Sequence, residues 1–293
     1  MFLLTLWKFS RPHTIIGSFL SVFSIYMVCV LEFSGSFNPS LLSLSLIAAL
    51  GCNVYITGLN QLADVELDRI NKPWLPLAAG TLSISAGRLI VGFSLVIALL
   101  AAVLVSAMLV ALIAIIAAIG TAYSLPPLKF KRNHWLAAAA ISVVRGLLVN
   151  IGFYAVFAAE MGVSSLAGST IVPLSLFVFA FSLGIAWFKD IPDTRGDAEY
   201  ELGTLAVTRG RTVAHYAGTI VVSLAYLSML VFGGLDFFQN STLNLIFHSL
   251  ALIIFLYRAL RLNLSDDRSI RSFYLFFWAL FFAEYIIYPF LVL

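Results

Sequence analysis

One polar stretch of this chain, NQLADVELDRINK, contains residues whose types and spacing could bind a metal ion. Asn60, Asp64 and Asp68 recur in it every four residues, a spacing that places side chains on one face of an α-helix. Their oxygen atoms are hard ligands of the kind that Mg²⁺ prefers. We therefore predict that this helix face holds a divalent cation.

A second acidic stretch, KDIPDTRGD, lies far downstream and contains Asp190, Asp193 and Asp197. Eight of the fourteen acidic residues fall within residues 64–68 and 190–201, and the chain around them is almost wholly apolar. Mg²⁺ is commonly bound through one or two carboxylates together with substrate phosphates. Two acidic stretches that face each other therefore predict a site for Mg²⁺ and a phosphate-bearing substrate.

The composition predicts that these stretches belong to an all-α protein that crosses a membrane many times. Of the 293 residues, 61% are hydrophobic and 11% are charged, whereas a soluble domain has about 25% charged residues. We expect one domain over residues 1–293, a single bundle around a central cavity, with spans near the ~20 residues that a membrane helix needs. The nine predicted transmembrane helices are 13–32, 40–64, 84–105, 107–124, 135–158, 170–190, 212–233, 242–261 and 270–290.

The basic residues predict how the bundle is oriented. Sixteen of the seventeen Lys and Arg residues fall in or beside the loops at one end, and the other, Arg145, lies inside the fifth predicted span. By the positive-inside rule, that end faces the cytoplasm or its organellar equivalent. Both acidic stretches belong to the same end, because four spans separate them. We expect a lipid bilayer around the protein and no nucleic acid partner.

Four basic residues lie near the acidic stretches and could hold phosphate oxygens. These candidate diphosphate-binding residues are Lys72, Lys129, Lys189 and Arg195. A diphosphate with a lipid tail would place its head at these loops and its tail among the helices. Magnesium and the cations would neutralise the leaving diphosphate while an allylic carbocation forms. The candidate catalytic residues are Asp64, Asp68, Asp193 and Asp197, and the candidate metal ligands are these four with Asn60 and Asp190.

Other polar residues could bind a second substrate, the acceptor. Arg145 must face the interior of the bundle and find an anion. It contacts either the acceptor's carboxylate or the diphosphate, or it has a structural role, paired with Glu284 of the ninth span or with backbone carbonyls. Tyr123 could contact a substrate or anchor its helix at the membrane surface. His13 follows a proline at the start of the first span, where we expect a surface or capping residue.

The two acidic motifs resemble those of the UbiA superfamily of intramembrane prenyltransferases. Asn60-QLA-Asp64-VEL-Asp68 is similar to the superfamily's NxxxDxxxD signature, and Asp193-TRG-Asp197 is similar to its DxxxD signature. Further stretches resemble the homogentisate phytyltransferases of cyanobacteria and plastids: LWKFSRPHTIIGS, NVYITGLNQLADVELDRINKPWLPLAAG, GTAYSLPPLKFKR and AWFKDIPDTRGD. Asp190 is an addition to the second signature, and it could join the metal site or pair with Lys189.

The resemblance implies a reaction. Both motifs would bind Mg²⁺ and a prenyl diphosphate, and a phytyl group would pass from phytyl diphosphate to homogentisate with loss of CO₂, a step of tocopherol biosynthesis. The resemblance also implies a thylakoid, plastid or bacterial inner membrane. Solanesyl diphosphate as donor, or chlorophyllide or 4-hydroxybenzoate as acceptor, would suit the same fold. A metal or anion transporter is an alternative of another class, but transporters usually place ionisable residues near the midplane.

Overall fold

The computed structural model describes residues 2–33, 35–163 and 170–293. These residues form helices and no β-strand, and nine of the helices are long and apolar enough to cross a membrane. The predicted all-α membrane fold with nine spans is confirmed. The helices are α1 (Phe2–Phe9), α2 (Pro12–Glu32), α3 (Pro39–Ala63), α4 (Val65–Asn71), α5 (Ile84–Val103), α6 (Ala107–Ser124), α7 (His134–Ser142), α8 (Phe153–Glu160), α9 (Ile171–Glu199), α10 (Leu205–Arg209), α11 (Arg211–Gly234), α12 (Ser241–Leu260) and α13 (Asp267–Val292).

Short polar residues set the ends of several spans. The Asn38 side chain accepts hydrogen bonds from two amides in the first turn of α3, which begins at Pro39. The Ser106 side chain does the same for Leu109 at the start of α6. Such caps satisfy N–H groups that the first turn of a helix leaves without a partner. The break predicted between the third and fourth spans is therefore confirmed.

The helix that carries the first acidic motif is interrupted at Asp64. α3 ends one residue before it and α4 begins one residue after it, and the Asp64 amide donates to the Gln61 carbonyl rather than to the carbonyl four residues earlier. Aspartate favours helix ends because its carboxylate competes for local hydrogen bonds. The prediction of one continuous helical face for Asn60, Asp64 and Asp68 is wrong, since Asp68 lies on the separate helix α4.

The second acidic motif is helical, although its span was predicted to end at residue 190. α9 continues to Glu199 and includes Pro192, as membrane helices can when neighbouring groups satisfy the freed backbone. Asp190, Asp193 and Asp197 consequently lie three and four residues apart on one face of a helix. All three side chains are buried in the bundle.

Six segments surround a central cavity, and the remaining spans pack outside them. The cavity is lined mainly by α2, α3, α6, α9, α13 and Val143–Gly152, a π-helical segment that joins α7 to α8 within one span. α5 packs against α3, while α11 packs against α9 and α12. Side-chain amides join the inner helices: Asn53 donates to Ser18 at 2.8 Å, and Tyr285 donates to Asn150 at 2.8 Å.

Close packing of the π-helical segment against α9 depends on Gly146. A Cβ atom at this position would lie 2.5 Å from the Cα atom of Phe179, and a backbone atom cannot move aside as a flexible side chain can. Arg145 directly precedes Gly146 in the sequence. Close packing of Gly146 against α9 therefore sets the depth of Arg145 within the bundle.

We expect Gly146→Ala to destabilise the protein by about 1–3 kcal/mol, the usual range for forcing extra atoms into a packed core. The measurement is the midpoint of thermal unfolding in detergent. Gly92→Ala in α5 is the matched control, because a Cβ atom there meets nothing within 4 Å and alanine favours a helix over glycine. Equal unfolding temperatures for Gly146→Ala and the wild type would contradict the close contact.

Candidate active site

A cavity of about 990 Å³ lies within the bundle, and both acidic motifs line it. All six predicted metal ligands are in its wall: Asn60, Asp64, Asp68, Asp190, Asp193 and Asp197. Apolar residues such as Ile113, Ile116 and Phe153 line other parts of the same cavity. The fold thus joins a charged region to an apolar one within a single space, as a substrate with a charged head and a hydrocarbon tail requires.

Asn71 links the two motifs directly. Its side-chain N–H donates to Asp197 Oδ1 at 3.1 Å, and its side-chain oxygen accepts from the Gly196 amide at 3.0 Å. A Cβ atom at position 196 would clash with the Asn71 amide group, so glycine permits this approach of α4 to α9. The sequence motif does not predict a role for Asn71, because the spacing of Asn71 from Asp68 does not continue the four-residue repeat.

Four carboxylates of the cavity wall are in contact with basic side chains. The pairs are Lys131–Asp64, Lys72–Asp193, Lys189–Asp190 and Arg11–Asp68. The Lys131 amine lies 2.5 Å from both oxygens of Asp64, whereas Arg11 is 4.0 Å from Asp68. The Lys189–Asp190 pair, at 2.5 Å, is one of the two roles that the sequence left open for Asp190.

Burial governs the pKa values of groups at the charged end of the cavity. It raises the pKa of Asp68, because removal from water disfavours the carboxylate form, while nearby cations act in the opposite direction. Burial also lowers the pKa of Lys131, and Asp64 opposes that shift. Burial would lower the pKa of Lys72 too, but the Asp193 carboxylate outweighs it and the pKa is raised. A divalent cation beside Asp68 would favour its charged form.

The donor set fits a Mg²⁺ ion that arrives with a phosphate ligand. Among the residues that the structure describes, no three His, Cys, Asp or Glu side chains are grouped closely enough to hold a metal ion. Instead, several of the carboxylates form ion pairs with lysine or arginine side chains. One oxygen, Asp68 Oδ2, is buried and has no hydrogen-bond partner in the described part of the chain. Since Mg²⁺ binds through one or two carboxylates, several waters and substrate phosphates, these donors do not need to form a cage in advance.

The structure places only two of the four predicted diphosphate-binding residues in the cavity wall. Lys72 and Lys189 line it, but Lys129 and Arg195 do not. Arg195 is exposed, because two residues after Asp193 a helix presents a different face. Lys131, two residues after Lys129, is the buried lysine of this loop and contacts Asp64.

Arg11 and Lys131 both line the cavity and were not predicted. Arg11 lies within LWKFSRPH and Lys131 within LPPLKFKR, two stretches that carry the family resemblance without singling out either residue. Their inward direction is set by the folded loops. Lys131 lies in a short 3₁₀ turn, and the neighbouring His134 amide donates to the Gly203 carbonyl at 3.2 Å, which fixes this loop on the segment after α9.

Arg145 lies in the cavity wall against aromatic rings. Its guanidinium carbon is 4.7 Å from the centre of the Trp278 ring and 5.7 Å from that of Phe281. The structural pair with Glu284 does not form, since Glu284 contacts His248 at 3.2 Å instead. Within the described residues no hydrogen-bond acceptor contacts the Arg145 side chain, so its donors remain available to an anion in the cavity.

Tyr123 and His13 also line the cavity. Tyr123 lies beside Lys189, as its proposed contact to a substrate requires. The expectation that His13 is a surface or capping residue is wrong. Its ring centre is 4.8 Å from that of Trp278, and Gly17, one turn later, lets Trp278 approach α2 closely.

Two acidic motifs lie at one end of the cavity, and an apolar wall forms the rest of it. In a helical membrane bundle, this combination defines a class of enzymes that act on lipid-tailed substrates within the bilayer. Residues 21–281 match the UbiA prenyltransferase family, and the chain belongs to that family. It is therefore a multi-pass membrane protein and a prenyltransferase.

Known relatives extend along nearly the whole chain. The protein is 42% identical to the homogentisate phytyltransferase of Synechocystis sp., over 97% of this chain and 94% of the relative. It is 35% identical to a homogentisate geranylgeranyltransferase of Triticum aestivum, over 97% of this chain and 71% of the relative. A UbiA homologue from Archaeoglobus fulgidus, solved with GPP and Mg²⁺ bound, has a TM-score of 0.68 at 19% identity and covers 98% of this chain and 99% of its own. That likeness shows the shared fold.

The two lysines of one loop provide a test of which cation contributes to the site. We expect Lys131→Met to lower kcat/KM for the prenyl diphosphate donor about 10-fold or more, because a hydrogen bond to a charged group contributes about 1.5–3 kcal/mol and 1.4 kcal/mol is a factor of ten. Lys129→Met, which removes a lysine outside the cavity wall, should leave kcat/KM within about twofold.

Lys131→Arg keeps the charge beside Asp64 and separates loss of the cation from loss of the fold. The assay is steady-state turnover with varied donor, alongside thermal unfolding of each variant. Equal losses from Lys129→Met and Lys131→Met would contradict the assignment.

Proposed function

We propose that this protein is a Mg²⁺-dependent aromatic prenyltransferase that transfers a phytyl or similar prenyl group to homogentisate, with loss of CO₂. The observation that carries the proposal is one cavity in which two acidic motifs and their paired cations adjoin an apolar wall and Arg145, which has no ion-pair partner among the described residues. The Synechocystis and Triticum relatives, both named for prenyl transfer to homogentisate, support it.

The charged end of the cavity would bind the diphosphate of the donor. Candidate metal ligands there are Asn60, Asp64, Asp68, Asp190, Asp193 and Asp197, all in the cavity wall. Bound Mg²⁺ supplies positive charge that stabilises the leaving diphosphate. Lys72, Lys131 and Lys189 donate hydrogen bonds to phosphate oxygens once they leave their aspartate partners. In the complex, Mg²⁺ would balance the charge of the carboxylates, and the lysines would balance that of the phosphates.

The apolar wall would hold the prenyl tail and the reactive end of the donor. Ile113, Ile116 and Phe153 offer hydrocarbon surface, and the Phe281 ring offers a π face that attracts a developing positive charge. Exclusion of water from this wall protects the allylic cation from hydrolysis.

Arg145 would bind the acceptor through its carboxylate. A guanidinium group matches a carboxylate with two parallel hydrogen bonds, and the Arg145 side chain has no competing acceptor among the described residues. Tyr123, beside Lys189, lies toward the diphosphate region and would contact the acceptor from that direction. The electron-rich ring would then lie between the two regions, where it can attack the prenyl cation.

Turnover by the purified protein tests the proposal. The protein in lipid nanodiscs is incubated with phytyl diphosphate, ring-labelled homogentisate and Mg²⁺, and we expect 2-methyl-6-phytyl-quinol. EDTA should abolish the product and added Mg²⁺ restore it. Geranylgeranyl and solanesyl diphosphates compare donor length, and we expect the highest kcat/KM for phytyl diphosphate. Absence of prenylated product with every donor would overturn the proposal. A thylakoid, plastid or bacterial inner membrane as its location stays a prediction.

Neutral variants of the two motifs test whether they act on one diphosphate. Asp64→Asn and Asp193→Asn keep the size of the side chain and remove its charge, and each should lower kcat about 10²-fold or more, as loss of one oxyanion-hole donor does. Because the two groups act as a unit, the double variant should be little worse than the worse single variant.

Glu66→Gln is the matched control for these variants. Glu66 lies on α4 but is exposed and pairs with Arg69 at 2.6 Å, and it is not in the cavity wall. Such a surface pair contributes about 0–1 kcal/mol, so its loss should leave kcat unchanged. Near-wild-type kcat in either aspartate variant would rule out a shared diphosphate site.

Changing Arg145 tests the acceptor site. Arg145→Gln should raise KM for homogentisate about 10-fold or more, from the loss of a charged hydrogen bond of about 1.5–3 kcal/mol, and leave KM for the donor unchanged. Methylhydroquinone, which lacks the carboxylate, should react equally with the variant and the wild type. Arg258→Gln is the control, because Arg258 also lies over a ring, Phe276, at 5.1 Å, but outside the cavity wall. Equal effects on donor and acceptor would exclude the acceptor role.

A further inference from the structure

Trp278 brings two polar side chains together in the cavity. The centre of the His13 ring lies 4.8 Å from one of its rings, edge to face, and the Arg145 guanidinium carbon lies 4.7 Å from the centre of a Trp278 ring. The imidazole and the guanidinium group therefore flank the same indole, one carried by α2 and the other by the π-helical segment.

The His13 imidazole is held by aromatic contacts rather than by hydrogen bonds among the described residues. Neither ring nitrogen bonds to another residue in the parts of the chain that the structure describes. Its ring contacts two aromatic side chains, Trp278 and, at 6.3 Å between ring centres, Tyr274. The ring lines the cavity, so its nitrogens can reach a molecule bound there and pass a proton to or from it.

The proposed reaction needs one group that accepts a proton and later donates one. The ring carbon of homogentisate forms a bond to the prenyl C1 atom while the C–O bond to diphosphate breaks and its electron pair leaves with diphosphate. That ring carbon must then lose its proton to become aromatic again. When CO₂ leaves, the electron pair of the broken C–C bond stays on the side-chain carbon, which takes up a proton and becomes the methyl group.

The proton that the ring releases balances the proton that the methyl group requires. We infer that His13 carries it: the neutral imidazole accepts the ring proton after the prenyl group attaches, and the imidazolium donates it to the side-chain carbon as CO₂ leaves. This inference rests on the proposed function. It makes His13 a catalytic residue, because a carboxylate held by Arg145 would place the adjoining carbon and the ring close to Trp278, which both side chains contact.

His13→Phe separates proton transfer from packing. Phenylalanine keeps a ring against Trp278 and removes both nitrogens. We expect kcat to fall about 10²-fold or more, the usual contribution of a general acid–base group, with KM for both substrates and the unfolding temperature unchanged. Homogentisate with deuterium at the reacting ring carbon should show a larger isotope effect on kcat in His13→Phe than in the wild type, because loss of the ring proton becomes rate-limiting.

Two further variants keep the inference testable if His13→Phe is poorly folded. His13→Gln keeps a polar side chain that cannot shuttle a proton, and it should be as slow as His13→Phe. His13→Ala leaves space for added imidazole, which should restore part of kcat. Wild-type kcat in His13→Phe, or a uniform rise in both KM values with no isotope effect, would overturn the role of His13. If instead the wild-type protein forms no prenylated quinol, the proposed function itself has failed.

Discussion

The pairing of opposite charges at one end of the cavity is the constraint on which the rest of the site depends. An unpaired charge in apolar surroundings is expensive by several kcal/mol, and this region buries Asp68, Asp190, Asp193 and Asp197. Cations contact Asp68, Asp190, Asp193 and their neighbour Asp64, and these cations come from the segment before α2, the residue after α4, the loop after α6 and α9 itself. The ion pairs therefore hold together parts of the chain that are distant in sequence.

These ion pairs also explain why no ready-made metal cage exists among the described residues. A carboxylate that contacts a lysine is already compensated, and a cation has to replace that lysine. A magnesium diphosphate can do so without leaving any group unpaired, because the metal takes the carboxylates while the phosphates take the lysines. Free Mg²⁺ would displace the lysines and leave them without an anionic partner. Charge balance would thus favour joint binding of metal and donor over binding of the metal alone.

The sequence predicts the nine spans well because lipid imposes long apolar segments whose lengths can be read directly. It also predicts all six acidic-motif residues of the cavity wall. What it misses depends on contacts that only folding creates. The break at Asp64, where the side chain meets Lys131, and the helix that continues through Pro192 are examples. The choice of Lys131 over Lys129 follows from a 3₁₀ turn, and His13 turns inward because Trp278, on the last helix, packs beside it.

The isolated position of Arg145 has a consequence for what happens after chemistry. If its guanidinium group holds the carboxylate of the acceptor, the reaction destroys the very group by which the acceptor was recognised. The prenylated quinol is then a neutral molecule with no anionic group to pair with Arg145. The protein that holds it is surrounded by hydrocarbon. Its weak retention would favour escape into the bilayer, discourage a second round of prenylation, and leave the enzyme little inhibited by its own product.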